Sequence, residues 1–126
     1  MALKVDVTRG SIGVYQIKLI GHLDSETTPK LSVIMKEVWS DPDARFISFD
    51  MSELTFISSM GLGLLATTRK TAGSRHGAVV TVGMQPQIAK VFDIMKMLPK
   101  ETIFTTREEA DGYLAVMQKQ VLERQK

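Results

Sequence analysis

The sequence predicts a single α/β domain in which about four helices pack over a mixed, four- to five-stranded sheet. The chain has 126 residues, of which 44% are hydrophobic and 24% charged, and these values suit one domain with one modest core. Apolar residues alternate with polar ones near the N-terminus. Further along the chain, short apolar runs typical of strands alternate with segments whose apolar residues recur at helical spacings. The resulting order is ββαβαβαβα, which predicts an initial antiparallel pair followed by buried, parallel strands.

The first two strands are predicted from strict alternation of side-chain character. Residues 4–9 and residues 14–20 both alternate, and the glycine-bounded connection 10–13 between them is typical of a hairpin. The sequence therefore predicts that the chain begins with two antiparallel neighbours.

The first helix is predicted to end near Trp39, before the stop signal Asp41-Pro42-Asp43. Asp24 or Ser25 is expected to cap its N-terminus, and Pro29 fits near its start because proline needs no backbone donor there. Apolar residues recur at spacings of three and four on one face: Leu31, Ile34, Met35 and Val38.

The middle of the chain is predicted to form a buried strand, a loop and a second helix. Residues 45–51 are mostly apolar, as in a parallel strand, and a loop containing Leu54, Phe56 and Ile57 is expected to follow. The second helix is predicted over residues 61–72, with Gly73 ending it.

The last third of the chain is predicted to add two strands and two helices. The strands are residues 78–82 and 102–104, and the helices are residues 85–97 and a segment from Arg107 or Glu108 to about residue 118. Residues 119–126 form a polar tail that either extends the last helix or frays. The residues expected to face inward are Ile88, Val91, Phe92, Met95, Ala110, Leu114 and Met117.

Composition and missing motifs favour a binding module over an enzyme. The net charge of +2 gives no signal for direct nucleic-acid binding, and the absence of cysteine excludes disulfides, thiolate metal sites and a cysteine nucleophile. No cleavable signal or membrane segment is visible, so we expect a cytoplasmic protein without membrane insertion. There is no phosphate-binding loop and no nucleophile elbow, and His22 and His76 are isolated, so no metal or cofactor is predicted.

The stretch DMSELTFISSMGLG at positions 50–63 carries the functional signal. A strand and a loop deliver Ser58 and Ser59 to the start of a helix, where unpaired N–H groups and the helix dipole suit either a serine cap or a phosphate. Gly61 and Gly63 are poor helix formers and indicate a close approach of backbone or of a partner. The alternative interpretation is that the serines only cap the helix and the glycines only permit packing.

This stretch resembles the signature of the STAS-domain family of anti-sigma-factor antagonists, which usually reads Asp-(Leu)-Ser-x-(Val/Leu)-x-(Phe/Tyr)-(Met/Ile)-Asp-Ser-(Ser/Thr)-Gly-Leu-Gly. Two further segments resemble the family in the same order: Gly21-His22-Leu23-Asp24, and residues 86–97 with Val91-Phe92-Asp93-Ile94. The resemblance implies a STAS-like fold, with a STAS domain over residues 1–118.

The resemblance also implies a function that depends on Ser59. In the family, an anti-sigma factor with serine kinase activity phosphorylates the equivalent serine and then releases the protein, and a phosphatase resets it. Ser58 is a second candidate acceptor. The residues that the resemblance places at the partner are Asp24, Ser58, Ser59, Met60, Gly61, Leu62 and Gly63. The oligomeric state stays open between a monomer and a weak homodimer.

Two positions depart from the family pattern and keep alternatives open. Ser58 replaces the family's aspartate, and Met60 replaces its serine or threonine. Met60, Met95 and Met97 are candidates for an adaptable binding surface. The alternative function is a non-switching STAS interaction or scaffold subunit of a signalling complex or membrane transporter. A third hypothesis is an enzyme or nucleotide-binding protein. A dinucleotide site requires an acidic residue at the end of the strand that follows the glycine-rich helix start, and the predicted strand 78–82 is followed by no such residue.

Overall fold

The computed structural model describes residues 2–96, 98, 99 and 102–124, which fold into a five-stranded sheet with helices on both faces. The strands are β1 (Leu3–Arg9), β2 (Val14–Leu23), β3 (Phe46–Ile57), β4 (Ala78–Val82) and β5 (Ile103–Phe104). The helices are α1 (Thr28–Trp39), α2 (Ser59–Ser74), α3 (Pro86–Met95) and α4 (Arg107–Arg124). The predicted fold class and element order are confirmed.

The sheet is mixed, and its strands lie side by side in chain order from β1 to β5. The hairpin of β1 and β2 is antiparallel, whereas β2, β3, β4 and β5 are parallel to one another. Each parallel pair is joined by one crossover helix, α1, α2 or α3, as a βαβ unit requires. The carboxyl ends of β2 and β3 therefore lie side by side at one end of the sheet.

Two hydrophobic clusters hold the layers together. The larger cluster joins the sheet to α1, α2 and α3, and its buried members include Ile17, Leu31, Phe49, Leu65 and Phe92. The smaller cluster lies under α4 on the opposite face and contains Val14, Phe46, Val80, Val82, Ala110, Leu114 and Val121. Phe46 and Phe49 lie in different clusters, so β3 is buried on both faces, as a central parallel strand should be.

The predicted loop around Leu54, Phe56 and Ile57 is wrong, because these residues belong to β3. The strand continues to Ile57 and pairs with an equally extended β2, so that Leu54 lies opposite Gly21. Two register shifts in this pairing, after Lys18 and at Gly21, break the alternation of side chains. Leu54 is fully buried. The irregular order of polar and apolar residues that resembled a loop belongs to a strand whose pairing with β2 contains bulges.

Several helix ends differ from the prediction. α1 begins at Thr28, a full turn after Asp24 and Ser25. α2 begins at Ser59 and runs through Gly73, and the residue with positive φ that follows it is His76, at 62°. The helix gains two residues at its N-terminus, where Ser58 caps it before the predicted start, and two residues at its C-terminus.

The C-terminal helices also differ in detail. α3 ends where Lys96 takes a left-handed conformation, with φ at 50°. Met95 was expected on the buried face, but 57% of it is exposed. Met97 lies outside the described residues. α4 continues through residue 118 as far as Arg124, so the described part of the polar tail extends the helix, and the division of the chain at residue 118 stays a prediction.

None of the helices in the described part of the chain is long and apolar enough to cross a membrane.

Candidate functional site

The candidate site lies where the carboxyl ends of β2 and β3 meet. The Ser58 N–H donates to the Leu23 carbonyl at 2.8 Å, which fixes the start of α2 against the end of β2. Asp24 is the next residue after Leu23, so this single bond holds Asp24 and the start of α2 at the same end of the sheet. The Asp24 and Ser58–Ser59 segments, far apart in sequence, are therefore neighbours in the fold.

Ser58 is the N-cap of α2. Its backbone is extended, with φ at −91° and ψ at 170°, and its Oγ accepts a hydrogen bond from the Gly61 N–H at 3.2 Å. Its carbonyl accepts the first helical bond, from the Leu62 N–H at 2.9 Å. The Ser58 residue is half-buried and its hydroxyl already serves the helix end, as a capping serine does.

Ser59 is the first residue of α2, and it is exposed. The first N–H groups of a helix have no partner within the helix, and the aligned peptide dipoles give this end a partial positive charge. No acidic side chain lies in the first turn of α2 to offset that charge. An anion attached to the Ser59 Oγ would therefore sit in a favourable local field.

The two glycines of the first turn have different surroundings. A Cβ on Gly61 would lie 2.8 Å from Leu23 Cγ and 3.0 Å from the Leu23 carbonyl oxygen, so close packing against β2 requires glycine there. A Cβ on Gly63 would meet nothing within 4 Å, and Gly63 is exposed. Packing within the chain accounts for Gly61 and leaves Gly63 without a structural reason.

Asp24 organises the turn before α1 and does not cap the helix itself. Its Oδ1 accepts from the N–H groups of Glu26 and Thr27, both at 3.0 Å, and from the Thr27 hydroxyl at 3.1 Å. The hydrogen bond from the Thr27 N–H is the main reason that the pKa of Asp24 lies below its ordinary value, despite an opposing effect of burial. The N-cap of α1 is Thr27, whose side chain makes no capping bond.

An exposed apolar surface borders Ser59. Met60 is 51% exposed, and Phe56, near the end of β3, is 46% exposed. The Phe56 ring lies against the His22 ring of β2, with centroids 5.6 Å apart. The sequence prediction missed Phe56 and His22 as site residues, because their pairing depends on the strand that had been taken for a loop.

Two other residues of the 50–63 stretch, Leu62 and Asp50, mainly stabilise the fold. Leu62 is only 8% exposed and belongs to the larger cluster, so its contribution to a partner surface would be small. Asp50 accepts from the Ser52 N–H at 3.0 Å and from the Ser52 hydroxyl at 2.7 Å, so its carboxylate has a structural role within β3. Within the described residues, no group of three or more His, Asp or Glu side chains could hold a metal ion.

Comparison with known proteins adds to this geometry. A family model described as the STAS domain matches residues 6–110. The chain is similar to the anti-sigma-B factor antagonist of Staphylococcus aureus, with 28% identity over 80 residues that cover 64% of this chain and 73% of that protein.

Two solved structures share the fold. One is the Bacillus cell fate determinant SpoIIAA in its phosphorylated form, with a TM-score of 0.72 and 19% identity over 87% of this chain and 98% of that one. The other is the murine anion transporter Slc26a9 in its inward-facing state, with a TM-score of 0.63 and 17% identity over 86% of this chain but 18% of that one.

Proposed function

Because this chain belongs to the STAS domain family, we propose that it is an anti-sigma-factor antagonist-like regulatory protein, controlled by phosphorylation of Ser59. Its partner is an anti-sigma factor with serine kinase activity, which binds the unmodified protein and releases it after phosphorylation. The observation that carries this proposal is the exposed Ser59 at the first position of α2, beside a Ser58 that already caps the helix. A phosphatase that removes the phosphate completes the cycle.

The geometry favours Ser59 over Ser58 as the acceptor. A kinase must bring the γ-phosphoryl group of ATP to a free hydroxyl, whose oxygen forms the new P–O bond as ADP leaves and the proton passes to the kinase. Ser58 is half-buried and its hydroxyl accepts a bond from Gly61, whereas Ser59 is exposed. To reach a kinase, the Ser58 hydroxyl would also have to leave its cap position at the Gly61 N–H.

The phosphate is expected to act on the interface and not on the fold. It adds about −1.5 to −2 charges, and at a helix N-terminus such a charge is stabilised by about 0.3–1 kcal/mol. The domain should therefore stay folded when phosphorylated. The same charge beside the apolar Met60 and Phe56 would have to be desolvated if a partner covered this surface, and release follows from that cost.

The partner surface consists of exposed groups that the fold itself does not need. Met60 and Phe56 supply apolar area, and Gly63 allows the partner's backbone to approach the first turn of α2 closely. Asp24 borders this surface with a carboxylate held in place by Glu26 and Thr27. The relatives support the assignment: the Staphylococcus aureus protein is an anti-sigma-B factor antagonist, and SpoIIAA has a phosphorylated form.

The direct test combines phosphate mapping with partner binding. The protein is incubated with ATP and its cognate anti-sigma factor kinase, and phosphate is located by mass spectrometry. We expect one phosphate on Ser59, its loss in Ser59→Ala, and its retention in the matched control Ser58→Ala. Ser59→Ala should keep partner binding, and Ser59→Asp should weaken it. Phosphate on neither serine, or on Ser58 alone, would contradict the proposed switch.

A second candidate function is a STAS interaction subunit that does not switch. The observation that favours it is the pair of departures at Ser58 and Met60, together with the shared fold of a domain that makes up a small part of an anion transporter. In that case Ser59→Asp and Ser59→Ala would bind the partner equally well. The binding comparison of these two variants therefore separates the two functions.

We also propose that the protein has no catalytic activity of its own, needs no cofactor and acts in the cytoplasm. A thermal-shift screen with nucleotides tests the first two points, because a tightly bound nucleotide would raise the melting temperature with concentration. Stabilisation by ATP or GTP in the absence of the kinase would favour the nucleotide-binding hypothesis instead.

A further inference from the structure

The outer edge of β1 is a long, regular strand edge without a neighbouring strand among the described residues. β1 pairs with β2 over seven consecutive positions without a register shift, and it contains no proline. The opposite edge of the sheet, β5, has only two residues. Natural sheets usually protect a regular edge of this length, because its free N–H and C=O groups can pair with another strand.

The hairpin geometry identifies which backbone groups face outward. The Gly10 N–H donates to the Val14 carbonyl at 2.9 Å, and bonded pairs in an antiparallel ladder occur at every second position. Thr8, Asp6 and Lys4 therefore direct their backbone groups toward β2, while Leu3, Val5 and Val7 direct theirs outward. The Leu3 carbonyl accepts from the Lys30 Nζ at 2.7 Å, which protects one end of the edge and leaves Val5 and Val7 uncovered.

The side chains of β1 are complementary to a second β1 in one antiparallel register. With Val5 opposite the second copy's Val5, the outward backbone groups of the two strands bond to each other, and Lys4 lies opposite Asp6 on both sides of the two-fold axis. Leu3 then lies opposite Val7, which is 44% exposed in the single chain. A shift that places Asp6 opposite Asp6 would bring like charges together, so the charges select the first register.

Helix α1 carries a matching stripe beside this edge. Lys30, Val33 and Glu37 are exposed and lie at spacings of three and four, on one side of the helix. The bond from Lys30 to Leu3 places this side over the β1 edge. Val33, which is 58% exposed, is about 4.5 Å along α1 from Lys30, and Val5 is about 6.6 Å along β1 from Leu3, so the two valines lie at similar heights.

We propose that the β1 edge and the Lys30–Val33–Glu37 stripe of α1 form an interface with a second copy of this chain. The two sheets join into one continuous sheet, in which the two β1 strands lie side by side and antiparallel, with the two-fold axis near Val5. The two copies of α1 then run antiparallel, with Val33 facing Val33 and Lys30 facing Glu37. The axis reverses the direction of the strands, so the two Ser59 sites point to opposite ends of the joined sheet and both stay open to a partner.

Complementary charge reversals test this interface. In a homodimer, Lys4→Glu places a second carboxylate opposite Asp6, and Asp6→Lys places a second ammonium group opposite Lys4, so each variant alone should dimerise about tenfold more weakly. When the two variants are mixed, the facing pairs at one side of the axis carry glutamate and lysine, and those at the other side carry the original lysine and aspartate. Every facing pair then has opposite charges, and a heterodimer should form with an affinity near that of the unaltered protein. Sedimentation equilibrium over a wide concentration range measures all three cases.

A matched control and a second readout complete the test. Lys90→Glu reverses an exposed charge on α3, which joins β4 to β5 at the opposite side of the sheet, and should leave the dimer unchanged. Hydrogen exchange of the Val5 and Val7 amides should slow as protein concentration rises, because these N–H groups become bonded only in the dimer. A protein that stays monomeric at millimolar concentration, or a dimer that neither single reversal weakens, would overturn the proposal. Failure of the mixed variants to pair would also overturn it.

Discussion

The Arg75 guanidinium lies over the Trp39 ring, 4.9 Å from its centroid, and donates to the Trp39 carbonyl at 2.8 Å. The same guanidinium donates to the carbonyls of Asp41 and Ala44, at 2.9 and 3.1 Å. One side chain from the end of α2 thus satisfies the last carbonyl of α1 and the turn that follows it. Arginine is suited to this role because its planar group stacks and donates several bonds at fixed angles.

We therefore predict that Arg75→Ala lowers the free energy of unfolding by about 2–3 kcal/mol, since three carbonyls lose a hydrogen bond from Arg75 and a ring contact is lost with them. Arg75→Lys should recover less than half of this loss. Urea unfolding measures both, and Lys70→Ala on the exposed side of α2 is the control. Equal stability of Arg75→Lys and the unaltered protein would show that charge alone is sufficient.

Acid stability should depend on the hydrogen bond from the Tyr15 hydroxyl to Asp41 Oδ2, at 2.7 Å. This bond is the main reason that the pKa of Asp41 lies below its ordinary value and also the main reason that the pKa of Tyr15 is raised. A lowered carboxyl pKa gives stability that is present at neutral pH and is lost as pH falls through the folded-state pKa.

Tyr15→Phe should accordingly be less stable than the unaltered protein at pH 7, and the difference should shrink below about pH 4. Urea midpoints measured across this range test the prediction, with Asp43→Asn in the same turn as the control. A difference that stayed constant down to about pH 2 would mean that Tyr15 contributes by packing alone.

The two glycines of α2 should respond in opposite directions to the same substitution. Gly61→Ala forces a Cβ to within 2.8 Å of Leu23, and strain of this kind costs about 1–3 kcal/mol. Gly63→Ala meets no atom and should stabilise the helix by up to about 1 kcal/mol, because alanine is the better helix former. Urea unfolding of the pair measures both effects.

Gly63→Ala also probes the proposed partner surface, since it leaves the fold intact. We expect it to weaken binding of the anti-sigma factor while raising the free energy of unfolding. If binding were unchanged, the glycine would have no role in the approach of the partner.

The cap of α2 can be tested at Ser58. Ser58→Ala should cost about 1 kcal/mol, because the Gly61 N–H loses its acceptor, and Ser58→Asp should restore or exceed the original stability through its charge at the helix start. Thermal or urea unfolding measures the series. Equal stability of all three proteins would show that water replaces the cap without cost.

Sequence periodicity predicted those elements whose residues alternate or recur without interruption. β4 has the predicted bounds, and the β1–β2 hairpin and the parallel crossovers follow from simple patterns. The second half of β3 was missed because its pairing with β2 contains two register shifts. At each shift the alternation of inward and outward side chains is interrupted, so the sequence no longer shows the period of a strand. Bulges are set by the partner strand, so a single segment does not reveal them.

The position of the candidate site at a helix start was predicted, but its hydrogen bonds and exposure were not. Ser58 and Ser59 were both placed at a helix start, yet only the fold shows that one hydroxyl is engaged by Gly61 and the other residue is exposed. The sequence also treats Gly61 and Gly63 alike, because the difference between them is the distance to Leu23 in another strand.

The end of α2 shows the same limit of local patterns. The helix was expected to end at Gly73, but the residue with positive φ after it is His76, and the following Gly77 must pass the Arg45 carbonyl. The contact with Arg45 comes from a distant part of the chain, so the residues around Gly73 alone do not indicate which position turns.

The separation of the cap at Ser58 from the exposed Ser59 has a consequence for how this chain can diverge. A change at position 58 alters the thermal stability of one helix end by a modest amount, and any of several small polar residues would be tolerated there. A change at position 59 leaves the helix end nearly untouched and, under the proposed switch, alters the phosphate acceptor and the surface that the partner covers. Under the proposed switch, descendants of this chain could therefore lose or regain responsiveness to the kinase by single substitutions at position 59, without passing through an unstable ancestor.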